Sequence, residues 1–195
     1  MVNINKKLEE ILEHYTVLTG IKDEDYKTLA EHKDKLATWK DEVVKDFYDT
    51  LFNYEPTKKI FHEGERPKVE KTLEEWYLGL LEGKKDFSFW EHQWFVGLVH
   101  IARGVDNAFM HSMMARVQNL MAEKCFQEFP PEEAKRVYTA FKKITDTIAG
   151  VIMEGYFIQY IESIVRMTGI KEQVIERMAK LESQKMIEEY RAKGV

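Results

Sequence analysis

The amino-acid sequence predicts an all-α protein, and three observations support this fold class. Apolar residues recur at spacings of three and four through most of the chain, which places them on one face of an α-helix. The 195 residues include only four prolines and ten glycines, so long stretches contain no helix breaker. Hydrophobic residues make up 44% of the chain and charged residues 32%, which suits one folded domain whose core needs no disulfide or metal.

The pattern divides the first part of the chain into three helices. The first ends before Gly20, since glycine is common just after the end of a helix. The second runs from Asp23 to about Leu36. The third begins near Trp39 and carries a wide apolar stripe that includes Tyr48, so this tyrosine is predicted to point into the protein.

Two further helices are predicted in the middle of the chain. One follows Pro67, and its buried side is expected to include Thr72, which lies among apolar positions. The other begins at Ser88–Glu91, which has the Ser-x-x-Glu form of a capping box, and it ends at Gly104. This second helix contains the most apolar stretch of the chain.

Two long helices, over about 110–126 and 132–166, complete the predicted domain. The residues that follow are charged and only weakly periodic. Because no repeat or flexible linker interrupts the earlier part of the chain, we assign residues 1–168 to one domain and residues 169–195 to a charged C-terminal helical extension.

Charge and cysteine usage exclude several classes of protein. The net charge is −5 and the two signs are interspersed, whereas a nucleic-acid partner needs a concentrated basic face. The single cysteine, Cys125, forms no disulfide framework and favours a reducing compartment. The chain starts without a secretion signal, and no stretch reaches the roughly 20 apolar residues of a membrane span. We therefore expect a cytoplasmic protein with no nucleic-acid or membrane partner.

The common catalytic templates are absent from the sequence. There is no phosphate-binding loop, no Gly-x-Gly-x-x-Gly, no Gly-x-Ser-x-Gly and no His-Glu-x-x-His. Cys125 has no Cys-x-x-Cys partner and is expected to be a buried, inert thiol. Nothing in the sequence alone therefore predicts an enzyme.

His100 is the one residue whose surroundings suggest a ligand. It lies in the apolar stretch from Trp94 to Ile101, with Val96 and Gly97 one turn earlier on the same helical face. A glycine at that position would leave flat space over the imidazole, which suits a planar ligand. From spacing alone, a core histidine with satisfied hydrogen bonds is the more common case, and a ligand is the alternative.

Several short motifs occur together in one order and spacing. They are Phe47–Leu51, Lys71–Leu73, Gly83 and Val99–Val105, preceded by a matching region around Thr19–Ile21. In these motifs the chain resembles the globin domains of globin-coupled sensors, the protoglobins and the single-domain sensor globins, over about residues 8–165. The resemblance implies a globin fold with an additional N-terminal helix and a long C-terminal helix.

The resemblance also implies a cofactor, haem b (iron protoporphyrin IX), with His100 as the iron ligand. Tyr48 and Thr72 match the polar residues that contact a gas bound at the iron, and Val69 matches an apolar wall beside them. The remaining expected cofactor contacts are Leu73, Trp76, Val96, Gly97 and Val105. The sequence departs from the family pattern at two points: Met110 follows Phe109, and the arginine after His100 comes at the third position rather than the second.

The function implied is a non-enzymatic haem globin that reversibly binds O2, CO or NO, as a gas sensor. Two alternatives remain open: a haem-free globin-like signalling input module, and an NO dioxygenase-type haem enzyme that uses a partner reductase. The hydroxyls of Tyr48 and Thr72 also have an alternative, which is to bond to backbone carbonyls.

The last long helix bears on partners. A 4-3 spacing of apolar residues joins Val137 to Gly155, and further apolar residues lie on neighbouring faces. Such a helix is either buried on all sides or part of a homodimer built as a four-helix bundle from the two long helices, which the resemblance also implies. We expect the homodimer, with Ile148 and Val151 on the partner side. Residues 170–195 are too few for a signalling output domain, which implies a single-domain globin or the sensor part of a longer chain with a downstream partner.

Overall fold

A computed structural model describes residues 4–194 and confirms an all-α architecture. Within those residues the chain forms ten helices and no strand. In chain order the helices are α1 (Ile4–Thr19), α2 (Asp23–Glu31), α3 (Lys33–Ala37), α4 (Lys40–Asn53), α5 (Glu55–Lys58), α6 (Arg66–Leu80), α7 (Phe87–Ala102), α8 (Asn107–Glu128), α9 (Pro131–Thr168) and α10 (Glu172–Ala192).

Helix α9 is the centre of the core. It packs against α1, α2, α7 and α8, which surround its first two thirds. A second group forms around α4, which contacts α5, α6 and α8. Helix α6 joins both groups, because Val69 and Leu73 pack with α4 whereas Tyr77 and Leu80 belong to the core that α7 and α9 share.

Burial on several sides of α9 contradicts one expectation. Ile148 and Val151 are both 0% exposed, and α9 packs against both α7 and α8. Their expected position on a partner-facing surface is therefore wrong. A charge at either position would disrupt the core of one chain rather than separate two chains.

Helix α9 is also long and apolar enough to cross a membrane by length and composition alone. Its most apolar 18-residue window has a mean hydropathy of 1.3, and 44% of that window is buried inside the fold. This finding qualifies the expectation that no stretch reaches the length of a membrane span. The packing of α9 among four other helices accounts for its apolar character without a membrane.

Local sequence signals explain most helix ends, with two differences. Gly20 and Gly104 adopt positive φ angles of 65° and 70°, which stop α1 and α7 as expected. Helix α7, however, is capped by Asp86, whose carboxylate accepts a hydrogen bond from the N–H of Phe89 at 2.9 Å, and not by Ser88. A break at His32, where φ is −101° and ψ is 8°, divides the expected helix over 23–36 into α2 and α3.

Gly97 allows the backbones of α7 and α9 to come close together. A Cβ atom at this position would lie 2.9 Å from the carbonyl oxygen of Ile152. The flat space expected over Gly97 is therefore absent, because α9 fills it. The sequence alone cannot distinguish a glycine that leaves room for a ligand from one that leaves room for another helix.

We expect Gly97→Ala to destabilise the fold by roughly 1–3 kcal/mol, because the clash is with main chain that cannot rotate away. Gly79→Ala is the matched control. Gly79 lies inside α6 with no atom within 4 Å of an added Cβ, so alanine should stabilise by about 0.4–1 kcal/mol. Chemical denaturation of both variants measures these changes, and equal effects would refute the assignment of Gly97 to close helix packing.

Candidate functional site

Helices α6 and α7 are joined by side chains at both ends. At one end, the indole N–H of Trp76 donates to the side-chain oxygen of Gln93 at 3.2 Å. At the other end, the guanidinium of Arg103 donates to the carboxylate of Glu65. The two helices therefore run antiparallel to each other. On α6, the expected site residues Val69, Thr72 and Leu73 lie between Glu65 and Trp76 along the chain. On α7, Val96, Gly97 and His100 lie between Gln93 and Arg103.

His100 is a largely buried imidazole on α7. Its Nδ1 atom is buried and has no hydrogen-bond partner among residues 4–194. Burial, and then the nearby positive charge of Arg103, lower the pKa of His100 to about 4. The imidazole is therefore neutral near neutral pH, with one ring nitrogen carrying a free lone pair. A core histidine held by its own hydrogen bonds is not what the structure shows.

Tyr48 lies on α4 and reaches α6. Its hydroxyl donates a hydrogen bond to the carbonyl of Val69 at 2.8 Å. Burial raises the pKa of Tyr48 well above its usual value, and the negative Glu70 adds to this shift while Arg103 opposes it. The positive charge of Arg103 lowers the pKa of both Tyr48 and His100.

An aromatic cluster holds the Tyr48 ring in place. Phe47, Phe52 and Phe61 lie with ring centroids between 5.1 and 6.3 Å from the centroid of Tyr48. Edge and tilted arrangements at such distances are favourable. The ring is therefore fixed, and the hydroxyl is the part of Tyr48 that can exchange one hydrogen-bond partner for another.

Thr72 does not lie on the buried side of α6. Its side chain is exposed, and its hydroxyl donates to the carbonyl of Lys68 within its own helix at 3.1 Å. Val69 and Leu73 pack toward α4, and Thr72 is displaced from Leu73 by about 100° around the helix. The expectation that Thr72 belongs to the buried side of α6 is wrong for this reason.

The remaining expected contacts share one property. Val69, Leu73, Trp76, Val96 and Val105 are all partly exposed. Apolar side chains on facing elements that keep part of their surface uncovered can bury it against an apolar ligand. Gly97 differs from them because it is buried against α9.

Four residues of this region are not found by the sequence analysis as parts of the site. Glu65 and Arg103 form one bridge, Gln93 forms the other, and Tyr156 of α9 lies with its ring centroid 6.4 Å from that of His100. Gln93 carries a weak sequence signal, because it is a polar residue two turns before His100 in an apolar helix. The others join distant segments, which a single sequence does not reveal.

The described residues contain no group of three or more His, Cys, Asp or Glu side chains that could hold a metal ion. Cys125 is fully buried and its pKa is raised to about 12, first by burial and then by Glu128. This confirms that Cys125 is buried, as expected, and a raised pKa disfavours the reactive thiolate form.

Comparison with known proteins finds one similar solved structure and one similar sequence that we describe here. The globin domain of a Geobacter sulfurreducens globin-coupled sensor matches with a TM-score of 0.68 and 25% identity, covering 76% of this chain and 96% of that domain. An uncharacterized protein of Methanocaldococcus jannaschii is 34% identical over 64 residues. That match covers 33% of this chain and 34% of the relative, so the chain aligns with about a third of the relative's length.

The globin fold expected from the sequence is confirmed by the match to the sensor globin domain. The family model described as Protoglobin matches residues 8–162, which is most of the chain. The chain therefore belongs to the protoglobin family.

Proposed function

We propose that this protein binds haem b and, at its iron, reversibly binds a diatomic gas (O2, CO or NO) as a gas sensor in the cytoplasm. The observation that carries the proposal is His100, a largely buried imidazole whose Nδ1 makes no hydrogen bond within the described part of the chain and whose lowered pKa keeps it neutral near pH 7. A neutral imidazole is the form that ligates a metal. Membership of the protoglobin family supports a haem at this position.

The residues present fit a haem. A porphyrin supplies four nitrogen ligands to its iron, so the protein needs to supply only one histidine ligand. The partly exposed apolar side chains of α6, α7 and the corner after α7 would cover the macrocycle. These are Val69, Leu73, Trp76, Val96 and Val105. Covalent attachment is not expected, because the sequence has no Cys-x-x-Cys-His.

When bound, the haem supplies an iron whose open position accepts a diatomic gas. His100 would hold the iron, and a hydrogen-bond donor of this chain would set the polarity where the gas binds. Tyr48 is the buried donor nearest to this role, and its O–H now bonds to Val69. To stabilise a bound gas, the hydroxyl would have to give up its hydrogen bond to the Val69 carbonyl and bond to the gas instead. Only the difference in strength between these two hydrogen bonds would then add to the gas affinity.

We expect Tyr48→Phe to speed O2 release by roughly three- to tenfold, because a bond to O2 with partial negative charge would be stronger than the bond to the Val69 carbonyl by about 0.6–1.4 kcal/mol. CO carries less charge on its outer atom and should respond much less. Thr72→Val is the comparison, and its exposed side chain, bonded within its own helix, should now give little change. Stopped-flow and flash photolysis measure these rates. Equal changes for O2 and CO would indicate a steric role for Tyr48.

Haem uptake tests the proposal. Titration of purified protein with haem should saturate at one haem per chain and produce an intense Soret band. A protein that stays colourless and takes up no added haem would support the haem-free signalling module instead. Turnover of NO driven by a generic reductase would favour the dioxygenase.

We also propose a homodimer through α8 and α9, but with an interface other than the one expected around Ile148 and Val151. A single face of α9 carries five exposed or partly exposed apolar side chains in a 4-3 spacing. They are Met153, Phe157, Tyr160, Ile164 and Met167, which are 40%, 61%, 58%, 41% and 86% exposed. We call this set the α9 stripe. Its spacing is that of helices that pack against each other at a shallow angle, and an exposed apolar patch marks an interaction site.

A further inference from the structure

Gln93 is a buried glutamine whose side chain joins α7 to α6, with only 1% of its surface exposed. Its Oε1 atom accepts a hydrogen bond from the indole N–H of Trp76 at 3.2 Å. Its Nε2 atom donates to the main-chain carbonyl of Phe89, one turn earlier in α7, at 3.4 Å. A buried amide costs free energy unless it is hydrogen-bonded. One bond therefore anchors the amide on α7, and the other directs its oxygen at Trp76.

The Trp76–Gln93 bond lies near the closed end of the hairpin that α6 and α7 form. Residues 81–86 connect the two helices, and within this connection Lys85 donates to the carbonyl of Gly79 at 2.6 Å. The Nζ atom of Lys85 also lies over the Phe89 ring, 5.5 Å from its centroid. The closed end is thus held by contacts from both helices, whereas an ion pair bridges the far end.

Gln93 and His100 point to the same side of α7. They are seven residues apart, which is about 20° short of two full turns and gives a rise of roughly 10 Å. On α6, a 4-3 spacing places Val69, Leu73 and Trp76 on one face. The two faces that carry the expected cofactor contacts therefore both end at the Trp76–Gln93 bond.

Trp76 is the one tryptophan among residues 4–194 that keeps part of its surface uncovered. The other three, which are only 3%, 7% and 4% exposed, are Trp39, Trp90 and Trp94. A tryptophan in a largely apolar setting needs a partner for its N–H, and Gln93 supplies one. This bond restricts rotation of the indole, so the uncovered apolar surface of Trp76 keeps one direction.

We infer that Gln93 is the positioning residue for Trp76, whose indole it holds as the end wall of the haem site between α6 and α7. This inference rests on the proposed function, since it concerns the site proposed to hold the haem. Gln93 contacts neither the iron nor the gas in this account, and it acts only through the indole. The wall limits how deeply the apolar edge of a macrocycle can enter between the two helices.

Two variants and a matched control test this role. Gln93→Met keeps the length of the side chain and loses both hydrogen bonds, whereas Trp76→Phe keeps an aromatic ring and loses the N–H. Gln118→Met is the control, because Gln118 is also a buried glutamine, 8% exposed, but it bonds to Thr145 and Asp146 of α9. We expect the vinyl bending bands in the resonance Raman spectrum of the haem-loaded protein to shift in Gln93→Met and in Trp76→Phe, and to stay unchanged in Gln118→Met.

Two further readouts follow the indole and the haem separately. Acrylamide quenching of tryptophan fluorescence needs no haem, and it reports mainly on Trp76 because the other tryptophans are buried. Gln93→Met should raise the quenching constant above that of the wild type, and Gln118→Met should leave it unchanged. Haem transfer to an excess of apomyoglobin should be about two- to tenfold faster from Gln93→Met, the effect of one lost hydrogen bond.

A purely structural role for Gln93 gives a different result. Gln93→Met would then lose thermal stability as Gln118→Met does, but keep the wild-type vinyl bands, quenching constant and release rate, and the inference would be wrong. If Gln93→Met does not fold, unchanged vinyl bands in Trp76→Phe overturn the inference in the same way. A wild type that takes up no haem refutes the proposed function, and with it this inference, and the absorption spectrum shows that outcome separately.

Discussion

His100→Ala should weaken haem binding by more than about 100-fold and abolish the Soret band at micromolar protein. Changing a hydrogen bond behind a metal ligand already costs about 10–100-fold in metal affinity, and His100→Ala removes the ligand itself. The vacated volume is the size of an imidazole. Added imidazole should therefore restore part of the band. Haem titration followed by absorption measures both effects.

His92→Ala is the control for this experiment. His92 lies on the same helix α7 but is exposed, so its loss should leave haem binding unchanged. Circular dichroism should show that both variants keep the helical fold. Normal haem uptake by His100→Ala, or loss of uptake in His92→Ala alone, would assign the iron to another ligand.

Phe157→Glu should dissociate the homodimer and leave one folded chain that still binds haem. Phe157 is 61% exposed and central in the α9 stripe, so a carboxylate there is tolerated in a single chain. At an interface the same carboxylate is buried without a partner, which costs several kcal/mol and so weakens association by more than about 100-fold. Sedimentation velocity at tens of micromolar protein measures the change.

Two comparisons make this result specific. Met178→Glu places the same charge on an exposed position of α10, 55% exposed and outside the α9 stripe, and should leave the dimer intact. Ile148→Glu places it in the core and should unfold the chain. A wild type that sediments as a monomer would end the proposal of a dimer.

The fold could be predicted from the sequence because its signals are local. Helical spacing of apolar residues predicted the long helices, and Gly20 and Gly104 predicted two helix ends, since a positive φ angle favours glycine. The cap of α7 was assigned to Ser88, although Asp86, two residues earlier, offers a carboxylate to the same helix start. Composition does not show the break at His32, where the Nδ1 atom lies 2.8 Å from the carbonyl oxygen of Thr28.

The site was predicted only in part, because it depends on how distant helices meet. The helical spacing that predicted Tyr48 to be inside also predicted Thr72 to be inside, but α6 turns Leu73 rather than Thr72 toward α4. Gly97 was assigned to ligand space and instead meets α9. The partners Glu65 and Arg103 are 38 residues apart, so no sequence spacing links them.

The most direct measurement of the central claim is CO binding to the reduced, haem-loaded wild type. If His100 holds the iron from one side and leaves the other side open, CO should bind at one molecule per haem with a sharp shift of the Soret band. Photolysis should reverse the shift. A haem-loaded protein whose spectrum does not respond to CO would contradict a reversible gas-binding function.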